Sequence, residues 1–402
     1  MKVLLIGSGG REHAMGWKLA QSSRLSELIS LPGNPGLAEL GPTVEGIGVT
    51  DVGAISAMAR VHGVDLVVVG PEAPLAAGLT DAVTRLGVPV FGPTRSAARL
   101  ESSKSFAKDV MIRAGVPTGG AERFEVPGDA HSYLERTDGP FVVKADGLAA
   151  GKGVLVTDSR RDAASWVDYW IEHGPVVVEE YLEGPEVSIF AVCTQAGAVP
   201  LEPARDYKRL LENDEGPNTG GMGSYSPVND LPPGFVEEVI TDVINPTLTQ
   251  MAVDGNPFFG FLYAGLILTD RGPRVLEYNV RLGDPETQAV LPRMQTDFID
   301  LLEGARPDWS DISTVNVVMA AQGYPTDPQK GAVIKGAQRQ PEDVLVFHAG
   351  TTRNGNQLVV DGGRVLNIVG IGSSIEAARQ KAYATVEELA WPGVEFRTDI
   401  AS

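Results

Sequence analysis

The 402-residue chain has a single cysteine, Cys193, which excludes an intrachain disulfide and any multi-cysteine metal site. Basic residues are also few. The 33 Lys and Arg against 52 Asp and Glu give a net charge of −19. This balance argues against a nucleic-acid binder, because affinity for a phosphate backbone comes from clustered Lys and Arg. No apolar run approaches the roughly 18 residues of a membrane span. We expect a cytoplasmic protein without nucleic-acid or membrane partners, although one small phosphorylated ligand stays compatible with the charge.

Metal-hydrolase and acyl-transfer motifs are missing as well. The five histidines show no metal-ligand spacing, and neither H-E-x-x-H nor G-x-S-x-G occurs. Hydrophobic residues at 43% and charged residues at 21% are typical of a globular protein. At roughly 100–200 residues per domain, the length predicts two to four domains.

The first hundred residues alternate short apolar runs with turns and amphipathic stretches, which predicts a doubly wound parallel-sheet domain. Its expected strands cover residues 3–6, 28–31, 66–69 and 88–91. Ligand sites lie at the carboxyl ends of such strands. The turn at residues 7–13 fails the dinucleotide fingerprint because Glu12 stands where the third glycine belongs. It is either an anion site at a helix N-terminus or a structural turn.

A second region begins near residue 100. Serines at 102, 103 and 105 predict the start of a helix that ends near Ala114, before Gly115. Strands are expected at 141–145, 154–157 and 176–181, in a small α+β lid. The glycine-rich loop at 147–153 is not a Walker motif, since its spacing is short and Gly153 replaces the Ser or Thr. One interpretation is that this loop folds over nucleotide phosphates, whose negative charge Lys144 and Lys152 would neutralise. The other is that the lysines are simply solvated.

A hairpin predicted from residues 261–269 and 274–281 places Glu277, Asn279 and Arg281 on one face of a strand. One carboxylate, one amide and a guanidinium suit a magnesium and phosphate site, because Mg²⁺ binds through few protein ligands and keeps waters and phosphates. A polar, solvent-facing strand is the alternative. Strands near 315–320, 344–349 and 358–360 and a helix at 374–389 predict a β-rich C-terminal domain.

Together these segments resemble the glycinamide ribonucleotide synthetase family of ATP-grasp enzymes. The resemblance runs from residue 1 to about 370 and rests on GSGGREHA, SSKSFAKD, KADGLAAGKGV, GPNTGGMG and EYNVRLGDPETQ. It implies that residues 1–102 form an N-terminal substrate-binding domain and residues 103–310 an ATP-grasp domain. Within the latter, a mobile lid would cover about 120–184, and residues 311–402 would form the C-terminal domain.

The resemblance also implies ATP-dependent ligation of glycine to 5-phosphoribosylamine through a glycyl phosphate in purine synthesis. Mg²⁺, or Mn²⁺ in its place, would be bound by Glu277 and Asn279, and Arg281 and Lys144 would be catalytic. The expected ATP-binding residues are Lys104, Lys144, Gly151, Lys152, Gly153, Glu179, Glu180, Leu182 and Glu186. The expected substrate-binding residues are Gly9, Gly10, Arg11, Glu12, Gly33, Asn34, Glu72, Asp206, Asn218, Gly220, Gly221, Met222, Gly283 and Asp284. We expect a monomer.

The chain departs from the family pattern at three places. Tyr207 stands where relatives usually have His, Val280 and Leu282 stand where they often have Cys and Phe, and the loop before Val176 is short. Two rival hypotheses remain open: another ATP-grasp carboxylate–amine ligase, and a nucleotide-binding regulatory protein that kept the fold and lost the chemistry.

Overall fold

The computed structural model describes residues 1–148, 153–336 and 341–402. Within these ranges, no helix combines the length and the apolar character needed to cross a bilayer. Besides the elements given below, the chain forms 3₁₀ turns at Leu37–Glu39, Glu212–Asp214 and Leu291–Arg293 and a π-helical turn at Ile240–Ile244.

The N-terminal region is a four-stranded parallel sheet covered on both faces. Its elements are β1 (Lys2–Gly7), α1 (Gly10–Leu19), β2 (Glu27–Pro32), α2 (Val52–Val61), β3 (Leu66–Val69), α3 (Glu72–Ala77), α4 (Leu79–Thr84), β4 (Val90–Phe91) and α5 (Arg99–Ser102). The strand order is β2-β1-β3-β4. Leu4 and Ile6 of β1 enter one core, while Val3 and Leu5 enter another. Burial on both faces confirms the predicted doubly wound sheet.

The last strand of this sheet is shorter than predicted. The expected strand at residues 88–91 is reduced to β4, which pairs with β3 through Val90 and Phe91. Pro89 has no N–H to donate to a ladder, although its carbonyl accepts a hydrogen bond from Val67 N. Regular pairing therefore starts only after the proline.

A helix and a small antiparallel sheet follow. They comprise α6 (Lys104–Ala114), β5 (Ala121–Phe124), α7 (Pro127–Arg136), β6 (Phe141–Ala145), β7 (Val154–Thr157), α8 (Arg160–Ile171) and β8 (Val176–Glu179). The strand order is β5-β8-β6-β7. Helices α7 and α8 bury Leu134 and Val167 in the same small core as Phe141 and Val178. This is the predicted α+β unit, with its last strand two residues shorter than expected.

The caps of α6 explain why its ends were predictable. Ser103 Oγ accepts a hydrogen bond from Phe106 N at 3.3 Å, and Gly115 ends the helix with φ +70°. Serine satisfies a free first-turn amide, and glycine adopts the left-handed conformation without a side-chain clash. Both signals are local in sequence.

The middle region is built around a second antiparallel sheet. Its elements are β9 (Glu186–Thr194), β10 (Gly197–Pro200), β11 (Arg205–Asp206), β12 (Arg209–Leu211), β13 (Glu215–Asn218), β14 (Gly223–Ser226), α9 (Phe235–Val239), α10 (Asn245–Val253), β15 (Gly260–Thr269), β16 (Gly272–Asn279), α11 (Glu286–Val290) and α12 (Phe298–Leu302). The sheet order is β10-β9-β15-β16, and β12 pairs with β13. Strands β15 and β16 form the predicted hairpin, with Tyr263 opposite Asn279.

The C-terminal region is β-rich, as predicted. It contains β17 (Ser313–Ala320), β18 (Val344–His348), β19 (Thr351–Asn354), β20 (Gln357–Val360), β21 (Arg364–Gly372) and α13 (Ile375–Glu388). Its main sheet has the order β11-β14-β17-β21-β18, so two strands from the middle region complete it. Helix α13 packs so closely on β21 that a Cβ at Gly370 would lie 2.0 Å from the Ala378 carbonyl oxygen.

Candidate active site

A cavity of about 430 Å³ lies between the N-terminal sheet edge, the hairpin β15–β16, the small α+β unit and the C-terminal sheet. It collects side chains from all four regions. The sequence-predicted residues that line it are Arg11, Glu72, Lys104, Lys144, Gly153, Glu179, Asp206, Asn218, Gly220, Glu277, Asn279, Arg281, Gly283 and Asp284.

Three lysines and one glutamate form the side of the cavity next to the α+β unit. Glu179 Oε2 lies 2.9 Å from Lys144 Nζ and 3.1 Å from Lys108 Nζ, and all three side chains are buried. Burial raises the pKa of Glu179, but the charges of Lys144 and Lys108 together hold it below its usual value. The carboxylate therefore stays ionised as the counter-charge of two lysines.

Lys104 completes this group from the first turn of α6. Its Nζ donates to the Gly147 carbonyl at 2.9 Å. Burial lowers the pKa of Lys104, Glu277 raises it in part, and Lys144 lowers it further, so the net shift is downward. A phosphate entering the cavity would favour the charged form of the lysine. Lys108 was missed in the sequence, although its position one helical turn after Lys104 places it on the same face.

The strand β16 and the residues that follow it carry the second group. Glu277, Asn279 and Arg281 all line the cavity, as the alternation of the strand predicted. Arg281 Nη2 lies 2.8 Å from Glu101 Oε1 and its Nε 3.2 Å from Glu72 Oε2. The neighbouring carboxylates raise the pKa of Arg281 in spite of its burial. The guanidinium is thus permanently charged and held by two helices of the N-terminal region.

Burial raises the pKa of Glu101 to about 7, against the opposing charge of Arg281 and with added repulsion from Glu72. Glu101 also accepts a hydrogen bond from Val280 N at 2.8 Å. It lies just before the SSKSFAKD motif, and nothing in its local sequence indicated that it would reach Arg281.

The donor set suits magnesium rather than a metal bound wholly by protein. The described residues contain no group of three or more His, Cys, Asp or Glu side chains arranged to hold a metal ion. Glu277 and Asn279 supply one carboxylate and one amide at the cavity wall. Magnesium typically binds through one or two carboxylates together with waters and substrate phosphates. These two residues therefore fit such an ion if a phosphorylated ligand occupies the cavity.

A second acidic group surrounds Lys208, which also lines the cavity. Lys208 Nζ lies 2.7 Å from Glu186 Oε2 and 2.8 Å from Asp206 Oδ1. Burial raises the pKa of Asp206, Lys208 lowers it, and Glu186 raises it, with a net upward shift. Glu286, at the start of α11, also lines the cavity, and burial with the charge of Asp206 raises its pKa to about 7. Neither Lys208 nor Glu286 was predicted from the sequence, although both stand within two residues of predicted site residues.

The C-terminal sheet contributes Arg364. Its Nη2 lies 3.0 Å from Asp284 Oδ2, and its Nη1 donates to the Asp284 carbonyl at 2.7 Å. It also donates to the carbonyl of Gly220. This contact connects β21 to both glycine-rich turns, GPNTGGMG and GDPETQ. No motif surrounds Arg364 in the sequence, so only the fold reveals it.

The glycine-rich turn after β1 differs from an open anion site. Glu12 Oε2 accepts a hydrogen bond from Gly9 N at 2.7 Å, and the carboxylate pairs with Arg11 at 2.5 Å. A Cβ at Gly7 or Gly70 would lie within 2.4 Å of the Glu12 side chain. The turns after β1 and β3 therefore do meet at one sheet edge, but they enclose the protein's own carboxylate. Arg11 is the residue of this turn that lines the cavity.

Other predicted residues in the described chain make contacts away from the cavity. Asn34 donates to the carbonyls of Ser8 and His348 at 2.9 and 2.8 Å, and Glu180 pairs with Arg271 at 3.1 Å. The predicted residues that do not line the cavity are Gly9, Gly10, Glu12, Gly33, Asn34, Glu180, Leu182, Glu186, Gly221 and Met222. Gly151 and Lys152 lie outside the described residues.

Tyr207, the main departure from the family pattern, belongs to the C-terminal core. Its hydroxyl accepts a hydrogen bond from Ala401 N at 2.8 Å, and Arg397 lies over its ring at 4.9 Å. Its side chain packs with the C-terminal hydrophobic cluster. These contacts explain why tyrosine is accommodated at position 207.

Comparison with known proteins covers the whole architecture. The N domain of phosphoribosylglycinamide synthetase matches residues 1–101, its ATP-grasp (A) domain residues 102–287, and its C domain residues 314–402. The chain is 47% identical to the phosphoribosylamine–glycine ligase of Leifsonia xyli, with 100% of both proteins covered. It is 45% identical to that of Ralstonia nicotianae, over 100% of this chain and 98% of the relative.

Solved structures give the same result. The crystal structure of phosphoribosylamine–glycine ligase from Thermotoga maritima matches with a TM-score of 0.86 and 36% identity, covering 100% of each chain. The biotin carboxylase domain of Hydrogenobacter thermophilus 2-oxoglutarate carboxylase, in complex with MgADP, matches with a TM-score of 0.75 at 16% identity. The match covers 98% of this chain and 91% of the biotin carboxylase domain. At this level of identity it shows only that the two proteins share a fold. The chain belongs to the phosphoribosylglycinamide synthetase family, as its motifs indicated.

Proposed function

We propose that the chain ligates glycine to 5-phosphoribosylamine at the expense of ATP, through a glycyl phosphate, in purine biosynthesis. The products are glycinamide ribonucleotide, ADP and phosphate. Full-length identity of 45–47% to phosphoribosylamine–glycine ligases supports this function. The observation that carries it is the single cavity in which buried lysines, Glu277, Asn279 and Arg281 converge.

The lysine side of the cavity suits ATP phosphates. Lys104 and Lys144, with Lys108 beside them, supply positive charge, and Glu179 prevents the lysines from repelling one another in the absence of nucleotide. The proposed phosphate-binding set also includes Gly153, which lines the cavity, and Gly151 and Lys152, which lie outside the described residues. The Leu182 backbone, predicted together with Glu179 for the adenine edge, would bind adenine, and Glu186 would bind the ribose. Glu179 itself is the counter-ion of two lysines, and Glu180 stays in the proposed ATP-binding set.

Glu277 and Asn279 are the residues that would hold Mg²⁺, with Mn²⁺ as a substitute. When bound, such an ion neutralises phosphate charge during the transfer. Arg281 would stabilise the charge of the transferred phosphoryl group, since its two carboxylate partners fix it at the cavity wall. Most of the catalysis of phosphoryl transfer is positioning and electrostatic stabilisation, which these residues are suited to provide.

Phosphoribosylamine would bind on the side of the N-terminal turns. Arg11 and Glu72 line the cavity there, together with Asp284, Asn218 and Gly220. Arg364 belongs to this set because it pairs with Asp284. We also propose that residues 1–102, 103–310 and 311–402 are the domains, that residues 120–184 act as a lid, and that the protein is a cytoplasmic monomer.

The test is ADP release by the purified protein with Mg²⁺ and ATP, when glycine and freshly generated phosphoribosylamine are supplied separately and together. The proposal expects ADP only with both, and a product with the mass of glycinamide ribonucleotide. Dependence on another acid or amine would keep an ATP-grasp ligase and discard this substrate pair. Binding of ATP without turnover under any pairing would favour a regulatory protein.

A further inference from the structure

The carboxylates that line the cavity are not equivalent. Five of the seven are held in ion pairs, two by Arg281 and one each by Lys144, Lys208 and Arg364. In the described part of the chain, Glu277 and Glu286 are the two without an ion pair. The proposed function already gives Glu277 a role, as the carboxylate that would bind Mg²⁺. Glu286 has none.

Glu286 is held by hydrogen bonds rather than by a charge. Ser188 Oγ lies 3.1 Å from Glu286 Oε1 and 3.0 Å from the Tyr263 hydroxyl. Burial strongly raises the pKa of Tyr263, so its hydroxyl keeps its proton. Ser188 Oγ donates either to the Tyr263 hydroxyl or to Glu286 Oε1, and no side chain of the described residues donates to Glu286 Oε2. A Cβ at Gly283 would lie 2.5 Å from Glu286 Oε2, so the carboxylate packs directly against this glycine.

We propose that Glu286 is the general base of the ligation step, accepting the proton that the amine of phosphoribosylamine loses as it attacks the glycyl phosphate. This inference rests on the proposed function. The nitrogen lone pair forms the C–N bond, the carbonyl C–O bond to phosphate breaks, and inorganic phosphate leaves with that electron pair. One N–H proton passes to Glu286 Oε2, so charge and atoms balance. The carboxylic acid then returns the proton to solvent when product leaves.

The surroundings of Glu286 suit this role. A base works best when its pKa is near the working pH. Burial and the charge of Asp206 raise the pKa of Glu286 to about 7, with Lys208 and Arg281 acting in the opposite direction. The charged or titratable groups that face Glu286 from packed elements are Asp206, Lys208, Tyr263, Arg281 and Arg364. A carboxylate in a permanent ion pair would be a weaker base than this one.

Rapid-quench kinetics with ATP, Mg²⁺, glycine and phosphoribosylamine separate the two chemical steps. In Glu286→Gln we expect about one ADP per enzyme to form at close to the wild-type rate. Formation of glycinamide ribonucleotide should fall about a hundredfold, within the range that general-base catalysis contributes. The matched control is Glu238→Gln, an exposed glutamate on α9, which should behave as wild type.

Two further variants separate chemistry from folding. Glu286→Asp keeps a carboxylate and should recover part of the ligation rate. Ser188→Ala removes the positioning residue that donates a hydrogen bond to Glu286 Oε1, and it should shift the acidic limb of the pH profile for product formation while the ADP phase stays unchanged. The same limb should be absent in Glu286→Gln.

The proposal is overturned if ADP and product slow in parallel in Glu286→Gln, or if that variant retains the wild-type rate and pH profile. A wild-type enzyme that makes no glycinamide ribonucleotide would instead refute the proposed function.

Discussion

Glu179 is a buried carboxylate shared by two lysines, and its charge is a matter of stability as well as binding. Glu179→Gln would leave Lys144 and Lys108 buried without their counter-ion. We expect the free energy of unfolding to fall by about 3 kcal/mol, the usual cost of removing one partner of a buried ion pair. Urea unfolding at pH 7.5 measures this loss of stability. Glu180→Gln is the control, because its exposed pair with Arg271 is worth less than about 1 kcal/mol. Equal losses in both variants would contradict the assignment.

Glu277 has a different role, since it faces the cavity without an ion pair among the described residues. Glu277→Ala should lower the ligation rate at least about a hundredfold, because the metal contributes several kcal/mol to phosphoryl transfer. Its thermal unfolding temperature should stay near that of the wild type. The measurement is turnover against Mg²⁺ concentration, with Glu277→Gln retaining one oxygen donor as a partial rescue. Wild-type turnover in Glu277→Ala would refute the metal assignment.

At the scale of elements, the sequence predicted whatever short-range signals determine. The serine and glycine at the two ends of α6, and the hairpin β15–β16, follow from neighbours within a few residues. Glu101 and Arg364 were not predicted because their partners are far away in the sequence and are brought to them only by the fold. Arg364 meets Asp284 across 80 positions of the chain, and an isolated arginine in a strand gives no local signal of such a contact. The same holds for Glu12, whose burial depends on turns after two different strands.

The packing of α13 on β21 gives a prediction at this scale. Gly370→Ala would place a Cβ 2.0 Å from the Ala378 carbonyl and 2.6 Å from Ala382 N, both of them backbone atoms of the helix. The helix must therefore shift, and we expect a loss of about 1–3 kcal/mol in the free energy of unfolding. Gly128→Ala in α7, where a Cβ meets nothing within 4 Å, should be neutral or slightly stabilising. Denaturant unfolding of the two variants and the wild type measures these differences in the free energy of unfolding.

At the scale of the whole molecule, the N- and C-terminal regions meet through a pair of histidines. His348 N donates to His13 Nδ1 at 2.8 Å, and Asn34 donates to the His348 carbonyl. Burial, with a further contribution from His348, lowers the pKa of His13 to about 3, and burial lowers that of His348 to about 4. Because Nδ1 accepts a hydrogen bond, a proton there would break the contact between the two regions.

The sign of the resulting pH dependence follows from these shifts. In the unfolded chain a histidine takes up its proton near pH 6.5, whereas His13 in the folded protein does so only near pH 3. The unfolded state therefore binds more protons between these values, and folding stability falls as the pH drops below about 6.5. His13→Asn retains an acceptor near Nδ1 and cannot titrate. We expect the loss of stability between pH 7.5 and 5.5, measured by urea unfolding, to be smaller in His13→Asn than in the wild type. His62→Asn, on an exposed histidine, should keep the wild-type slope. An unchanged slope in His13→Asn would show that other groups control the acid response of this interface.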